Sequence, residues 1–423
     1  MSDQGKVINV ARLGTFLLQI KEMFAKKSIY NDNCISLGRK AGTTAGMNSV
    51  ATGFEATASA MHSHAEGLST TAGNMGAHAE GESASASGHA SHAEGSSTEA
   101  SGSASHAEGQ GTRASGDNAH AEGSGTKAEG GFSHAQGSNT RAEGFCSHAE
   151  GSGTTARDSG SGGSHAEGNG TTAEDTAHAE GLGSRASFYA HAEGFRTTAL
   201  NRSHSEGDST EASGAASHAE GSGTAAGGGS SHAEGYKTAA GGDHSHVEGD
   251  NTAAESLGSH AEGKETVASG VGAHAEGMGN STEQKTAASG TASHAEGNHT
   301  VASSHAAHSE GINTEAKNFG THSEGYGTVA GGQYQHVQGK YNVEDTGNIY
   351  AHIVGGGTRS ERKNIHTLDW KGNAEFAGDV MNGNGVTMDS LKAAVDALNG
   401  ATAGVRAMTY EETMTVLNGG GAA

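Results

Sequence analysis

From Ser63 to Gly339 one pentapeptide, Ser-His-Ala-Glu-Gly or a close variant, returns about every fourteen residues. Its histidines stand at 64, 78, 92, 106, 120, 134, 148, 165, 178, 191, 204, 218, 232, 246, 260, 274, 294, 308, 322 and 336. A short fixed period means that one supersecondary unit stacks on copies of itself. Disorder is excluded over this tract, because a disordered linker has no need of glycine three residues after each of twenty histidines.

Composition narrows the answer. Hydrophobic residues make up 32% and aromatics 4% of 423 residues, too little bulky apolar surface for a conventional core of that length. Glycine occurs 71 times and proline not at all. The net charge of -23 argues against nucleic acid, which calls for basic patches. Cys34 and Cys146 lie far apart, so no disulfide framework is expected. The first residues form no apolar leader and no run of about eighteen apolar residues occurs, so membrane insertion is not expected.

The unit is clearest from Ser91 to Ala104, SHAEGSSTEASGSA. His-Ala-Glu and Thr-x-Ala alternate, which predicts two short strands with side chains on opposite faces. Glycine is expected to close each strand in a tight turn. Helix is disfavoured, since two glycines per unit cost roughly 1 kcal/mol each. The prediction is an all-β, narrow parallel β-solenoid with coils of about fourteen residues. Ala65, Ala79, Ala93 and the threonine and alanine of the second strand fill its interior. His and Glu then share one outer face, in two columns with a rise of roughly 4.8 Å per coil.

That face has apolar ends. Ile35 and Leu37, then Val50, precede the first histidine, and His352-Ile353-Val354-Gly355 follows the last. A face apolar at both ends is expected to be buried, and the simplest partner is another copy of the chain. Asn48-Ser49-Val50-Ala51-Thr52-Gly53 resembles the repeat of YadA-type trimeric adhesin heads, whose coils read Ser-Val-Ala-Ile-Gly. The resemblance covers roughly residues 34–340. It implies a homotrimeric, left-handed β-roll, with His and Glu here replacing two aliphatics. Such adhesins need a secretion signal and an outer-membrane anchor, and neither is expected here.

The ends read differently. Residues 7–27 carry a helical apolar pattern through Leu13, Phe16, Leu17, Ile20 and Phe24, which predicts a trimerising or docking helix. The period fails after 340, where Ile365 to Trp370 and Gly372 to Gly378 resemble distal segments of tail proteins from phages of Gram-positive bacteria. Met388 to Leu398 is amphipathic and predicts a final helix. The expected organisation is an attachment segment over 1–33, a solenoid over 34–340, a small β-rich module over 341–387, and a helix with a tail over 388–423.

Twenty equivalent pairs of His and Glu do not make the single preorganised constellation that catalysis needs, so no enzyme and no catalytic residue is expected. Instead a structural interface ladder is expected, made by His64 with Glu66, His92 with Glu94, His120 with Glu122, His148 with Glu150, His218 with Glu220, His260 with Glu262 and His322 with Glu324. Hydrogen bonding between His and Glu is its plain reading. Because Glu lies two residues from His on the same face, raised imidazole pKa values are expected. No cofactor is expected. Metal on a threefold axis is the competing reading, strongest where His62 beside His64, and His244 beside His246, add a second imidazole. It suffers from the repulsion of ions stacked at about 4.8 Å. Autoproteolysis near Ser360 lacks a base that can be placed from sequence. An ice-binding solenoid would need a flat Thr-x-Thr face, whereas Thr here pairs with Ala.

These readings converge on a structural phage tail fibre or tail appendage. Other virion tail or baseplate proteins are expected at its N-terminus, with a host cell-surface receptor as target and the virion as location. A trimeric surface adhesin is the alternative, and a metal-binding or self-processing tail spike the next. Receptor contacts are expected where the period slips, at Arg157 to Gly163 and Met278 to Lys285, and at Phe188, Tyr189 and Phe195.

Overall fold

A computed structural model describes residues 17, 34–160, 162–279, 285–378 and 387–401. The expected helix over 7–27 lies outside them apart from Leu17. The chain divides into two compact units, Met1–Ala292 and Ser293–Ala423. Both are built from coils of a parallel β-solenoid, about 23 coils in all with little helix.

One coil is a five-residue strand, such as His92–Ser96, a turn, a two-residue strand, such as Glu99–Ala100, and a second turn. Long strands stack only on long strands and short on short, in register: His120 pairs with His134, Ala121 with Ala135, Glu122 with Gln136. The backbone ladder continues through the turns, as in Ser97 N–H to Glu82 O at 2.8 Å and Ala104 N–H to His89 O at 2.7 Å. Backbone donors are therefore satisfied between coils, which lets so thin a structure persist without a large core.

The interior is as small as the sequence implies. Ala93 on the long strand and Ala100 on the short strand are fully buried, and so is Thr98 at 1% exposure. The threonine column is thus closed to water, which removes the ice-binding reading. A further inward column is the residue before the histidine, serine in most coils, and Ser91 Oγ donates to Gly88 O at 2.8 Å. This short loop-closing bond fixes the second turn.

Most interior threonines, among them Thr98, Thr112 and Thr126, have an Oγ1 sealed from water with no hydrogen-bond partner. Three coils carry serine in place of the strand alanine, and there the hydroxyls meet: Ser205 with Thr210 at 2.7 Å, Ser309 with Thr314 at 2.8 Å, Ser323 with Thr328 at 2.9 Å. A buried hydroxyl gains about 1 kcal/mol from such a bond. Ala121→Ser should accordingly raise the melting temperature by a degree or so by partnering Thr126, and Ser205→Ala should lower it. A fall on Ala121→Ser would mean that the interior has no room for one more atom.

Glycine departs from expectation. The glycine after Glu lies inside the long strand rather than closing it, as in the pairing of Gly123 with Gly109 and Gly137. At Gly123 φ is +115°, and a Cβ there would overlap the carbonyl oxygen of Gly137. The column is glycine for both reasons, since the backbone kinks there and neighbouring coils touch through bare backbone. Turns at the two corners instead hold residues near φ +55°, where Ser97, Ala104 and Phe132 are accepted as well as glycine.

In the second unit the stack ends on Tyr350–Gly356, which pairs in parallel with His336–Lys340 and antiparallel with Asn364–Asp369, followed by Ala374–Phe376. The change of direction stops the open edge from offering another parallel coil. Asn342 ties both backbone groups of Val329, and Asp345 accepts from Gln335 Nε2 and from the Ile349 and Tyr350 N–H groups. Within residues 341–378 the described strands thus form a small antiparallel sheet. The final helix is also present, at Met388–Ala401. Thr387 caps it, its Oγ1 accepting from Ser390 N–H at 3.0 Å.

Candidate interaction face

The long strand turns its odd and even residues to opposite sides, so burial of Ala93 sends His92 and Glu94 outward together. Parallel in-register stacking then converts one outward histidine per coil into a column. Ring centroids of successive histidines lie 4.6 Å apart at His64–His78, 4.8 Å at His106–His120 and 4.5 Å at His308–His322. Each unit therefore carries its own imidazole stack, His64 to His274 in the first and His294 to His336 in the second. All fourteen residues expected in the ladder lie on this face.

At the described pairs that follow, His and Glu stand beyond hydrogen-bonding range within the chain. His64 Nε2 lies 3.7 Å from Glu66 Oε2, and His92 Nε2 lies 4.0 Å from Glu94 Oε2. The same separation is 3.6 Å from His148 to Glu150, 3.7 Å from His218 to Glu220 and 4.0 Å from His260 to Glu262. At His322 the nearer carboxylate is Glu310 of the preceding coil, at 3.9 Å, while Glu324 lies 3.5 Å from His336 of the next coil. These distances exceed N–H···O range. The Nε2 atoms of His92, His120, His148, His218 and His322 are sealed from water by neighbouring rings and have no hydrogen-bond partner. The plain hydrogen bond between His and Glu is thereby corrected: the strand pleat holds residues i and i+2 side by side, just too far apart.

The regular ladder of His and Glu is present, but its glutamates do not bond its histidines within one coil. Glu66, Glu150 and Glu262 were expected to be rungs of the ladder, yet none accepts a hydrogen bond from its histidine. Their side chains stand open to water instead, 56% exposed at Glu66, 47% at Glu150 and 50% at Glu262. Glu94 and Glu220 are alike, at 47% and 50%. A carboxylate that keeps half its hydration gains little by turning toward a neutral ring. Within one chain the glutamates are thus a solvated column beside the imidazoles, not their partners.

The expected rise in imidazole pKa is corrected too. Burial, and then the adjacent imidazole, hold His78, His92, His120, His218, His260 and His308 below the usual value, while the glutamates pull more weakly the other way. Water screens the half-exposed carboxylates, which is why they lose. These six imidazoles therefore take up a proton less readily than a free histidine does.

At two of its steps the ladder is poorly arranged to share a metal within one chain. His92, Glu94 and His106 offer ligand atoms within 4.8 Å, as do His308, Glu310 and His322. However, the His92 and His106 rings are parallel to within 2° and the His308 and His322 rings to within 5°. A metal lies in the plane of the imidazole that binds it. Parallel stacked rings direct their lone pairs side by side, not at one ion. The additional histidines, His62 and His244, sit at exposed corners with φ of 59° and 57°, apart from the column.

The opposite, short-strand face is different. It mixes residue types from coil to coil and carries surface ion pairs, Arg141 with Glu129 at 3.1 Å and with Glu143 at 2.6 Å, and Arg113 with Glu99 at 3.7 Å. That is the chemistry of a solvated surface.

No protein-family model matches this chain, and no curated protein matches it either. The site therefore stands on its own geometry. At its apolar ends, Ile35 pairs with Val50 and Val50 with His64, so both head the histidine column. Leu37 heads the glutamate column, which Val354 continues after Gln338. Ile35 and Leu37 are 53% and 44% exposed, a cost that falls away when the face is covered.

Of the other expected positions, Ser360 lies in the turn between two antiparallel strands, its Oγ 3.3 Å from Thr358 Oγ1. Met278 to Lys285 falls largely outside the described residues. Among the described residues no helix is long and apolar enough to cross a membrane.

Proposed function

We propose that this chain is a structural phage tail fibre or tail appendage, a homotrimeric solenoid that presents binding elements to a host surface. One observation carries the trimer: a column of stacked imidazoles in which the Nε2 atoms of His92, His120, His148, His218 and His322 are shut off from water with no hydrogen-bond partner. Buried polar groups of that kind are rare unless a partner meets them. Around a threefold axis the contact is heterologous, so one side of the ladder face would meet a different side of the next copy's, and the coil repeat would carry that match along the stack. There a neighbouring chain's glutamates can accept the bonds that the chain's own glutamates cannot reach.

Two further features support closure around a threefold axis. The ladder face has apolar ends, and Val395 and Leu398 on the last helix remain more than a third exposed. A trimeric bundle would cover them. The tail assignment itself rests on the resemblance of residues 365–378 to distal segments of phage tail proteins. Sedimentation equilibrium should return about three times the 42.0 kDa chain mass. A stable monomer at micromolar concentration would sink the trimer. Antibody raised against the chain should then decorate tails of phage particles in electron micrographs. Decoration of the bacterial surface instead would favour the trimeric adhesin, which the coil around Val50 supports.

A further inference from the structure

The first unit departs from its own repeat at one corner, in four consecutive coils. The coil opening at His148 takes seventeen residues, and those opening at His165, His178 and His191 take thirteen. The shorter coils turn on two consecutive residues with positive φ: Asp175 and Thr176, then Phe188 and Tyr189, then Asn201 and Arg202. Bulky and β-branched residues rarely adopt this conformation, and such strain persists only where the surroundings enforce it. Here the ladder enforces it, through Phe188 N–H to Glu174 O at 3.2 Å and Tyr189 N–H to Asp175 O at 3.1 Å. The outcome is that two aromatic rings stand outward, 54% and 69% exposed, on a rigid backbone.

Four described residues of the long coil lie beside them. Asp158, Ser159, Gly160 and Gly162 join Asp175, Thr176, Phe188 and Tyr189 around a concavity of about 440 Å³. Asp158 is oriented by the Gly160 N–H, which donates to its Oδ1 at 2.8 Å. Its Oδ2 is sealed by protein atoms and has no hydrogen-bond partner. Asp175 Oδ1 accepts from Ser159 N–H at 2.9 Å and from Ser159 Oγ at 2.5 Å, which keeps that carboxylate ionised. Behind the rim, Glu174 is held by Arg157 and by Arg185 at 3.3 Å, so the wall is braced.

We propose that this corner is a binding subsite for a neutral, hexose-type saccharide. A sugar ring has an apolar C–H face that stacks on an aromatic ring and an edge of hydroxyl donors that needs fixed acceptors. Phe188 and Tyr189 supply the first, and Asp175 the second, with Asp158 bracing the loop behind it. A pocket part aromatic, with a few convergent polar groups, is the general form of a small-molecule site. The two carboxylates oppose phosphodiester or uronic acid polymers by like-charge repulsion. The proposal deepens the host-attachment reading by giving the attachment a ligand class.

The test uses the full chain against immobilised neutral oligosaccharides built from glucose, galactose, rhamnose or N-acetylhexosamine, with polyglycerol phosphate and polygalacturonate alongside. At least one neutral oligosaccharide should bind in the millimolar range or tighter, and the anionic polymers should not. Phe188→Gly with Tyr189→Gly should weaken binding at least about tenfold while leaving the melting temperature unchanged or higher, since glycine accepts positive φ freely. Asp175→Asn should weaken binding as well. Lack of binding to every neutral sugar, preference for the anionic polymers, or binding indifferent to the glycine pair would each overturn the site. So would a large loss of stability in that pair, because it would make the aromatics structural. A normal trimer by sedimentation together with any of these results would remove the saccharide site and leave the tail-fibre reading standing.

Discussion

Melted at pH 5, the protein should unfold roughly 5–10 °C below its midpoint at pH 7.5. The cause is the imidazole ladder. Ten histidines, including His78, His120, His218, His260 and His322, bind protons less readily in the fold than free imidazole does. Burial is the first cause in each, and the charge that a neighbouring ring would carry is the second. An unfolded histidine titrates near 6.5. As pH falls through that value the unfolded chain takes up protons that the folded chain refuses, so stability drains away until the depressed folded values are passed. Above about pH 7 both states are neutral and the curve should be flat. Each ring is about a third or more exposed, so water screens its share to a few tenths of a kcal/mol, but the shares accumulate along the column. Closure of the face in a trimer would deepen burial and steepen the fall. Circular dichroism melts between pH 5 and 8 check this. A midpoint that stays level, or climbs toward pH 5, would show that the carboxylates dominate.

Gly123→Ala should be among the most damaging single substitutions in the solenoid, costing about 3–5 kcal/mol. Alanine at φ +115° is strained whatever surrounds it, and its methyl group would overlap the Gly137 carbonyl oxygen. To relieve the overlap, two coils must part and their ladder bonds stretch. Coils interact only with near neighbours, so damage should localise, and limited proteolysis should cut near residue 123 before the rest of the unit is lost. Gly153 is the internal control. Its φ is +65° and nothing lies within 4 Å of a Cβ placed there. Serine already occupies the equivalent corner at Ser97, so Gly153→Ala should cost only about 1 kcal/mol. Equal losses in the two variants would refute the account of stacking through bare backbone.

Much of the fold was legible because a repeat states its own geometry. Alternation at His92-Ala93-Glu94 told which side chain faces inward, and the period told that like stacks on like. The alanine and threonine interior and the face shared by His and Glu followed from that, while the helix at Met388–Ala401 was legible from the amphipathic pattern of Met388 to Leu398. The inward serine at Ser91 was less legible, since its role is to close a three-residue turn that only backbone coordinates reveal. The thirteen-residue coils were visible in the histidine spacing, but nothing in a spacing tells that the missing residue converts a corner into two consecutive positive-φ positions.

The sequence by itself determined the unit, its period, its interior and the columns along its face, because those are properties of alternation and repetition within a strand. Tertiary structure decided what the columns do. Whether Glu at i+2 reaches His at i depends on the spread of the pleat, and separations of 3.6–4.0 Å leave Glu66, Glu94 and Glu150 short of their histidines. Whether an imidazole is charged depends on how much water its neighbours remove, and a stacked ring removes more than a half-exposed carboxylate returns. Likewise the concavity beside Phe188 and Tyr189 joins residues from three successive coils, a proximity that arises only when the chain has wound back on itself.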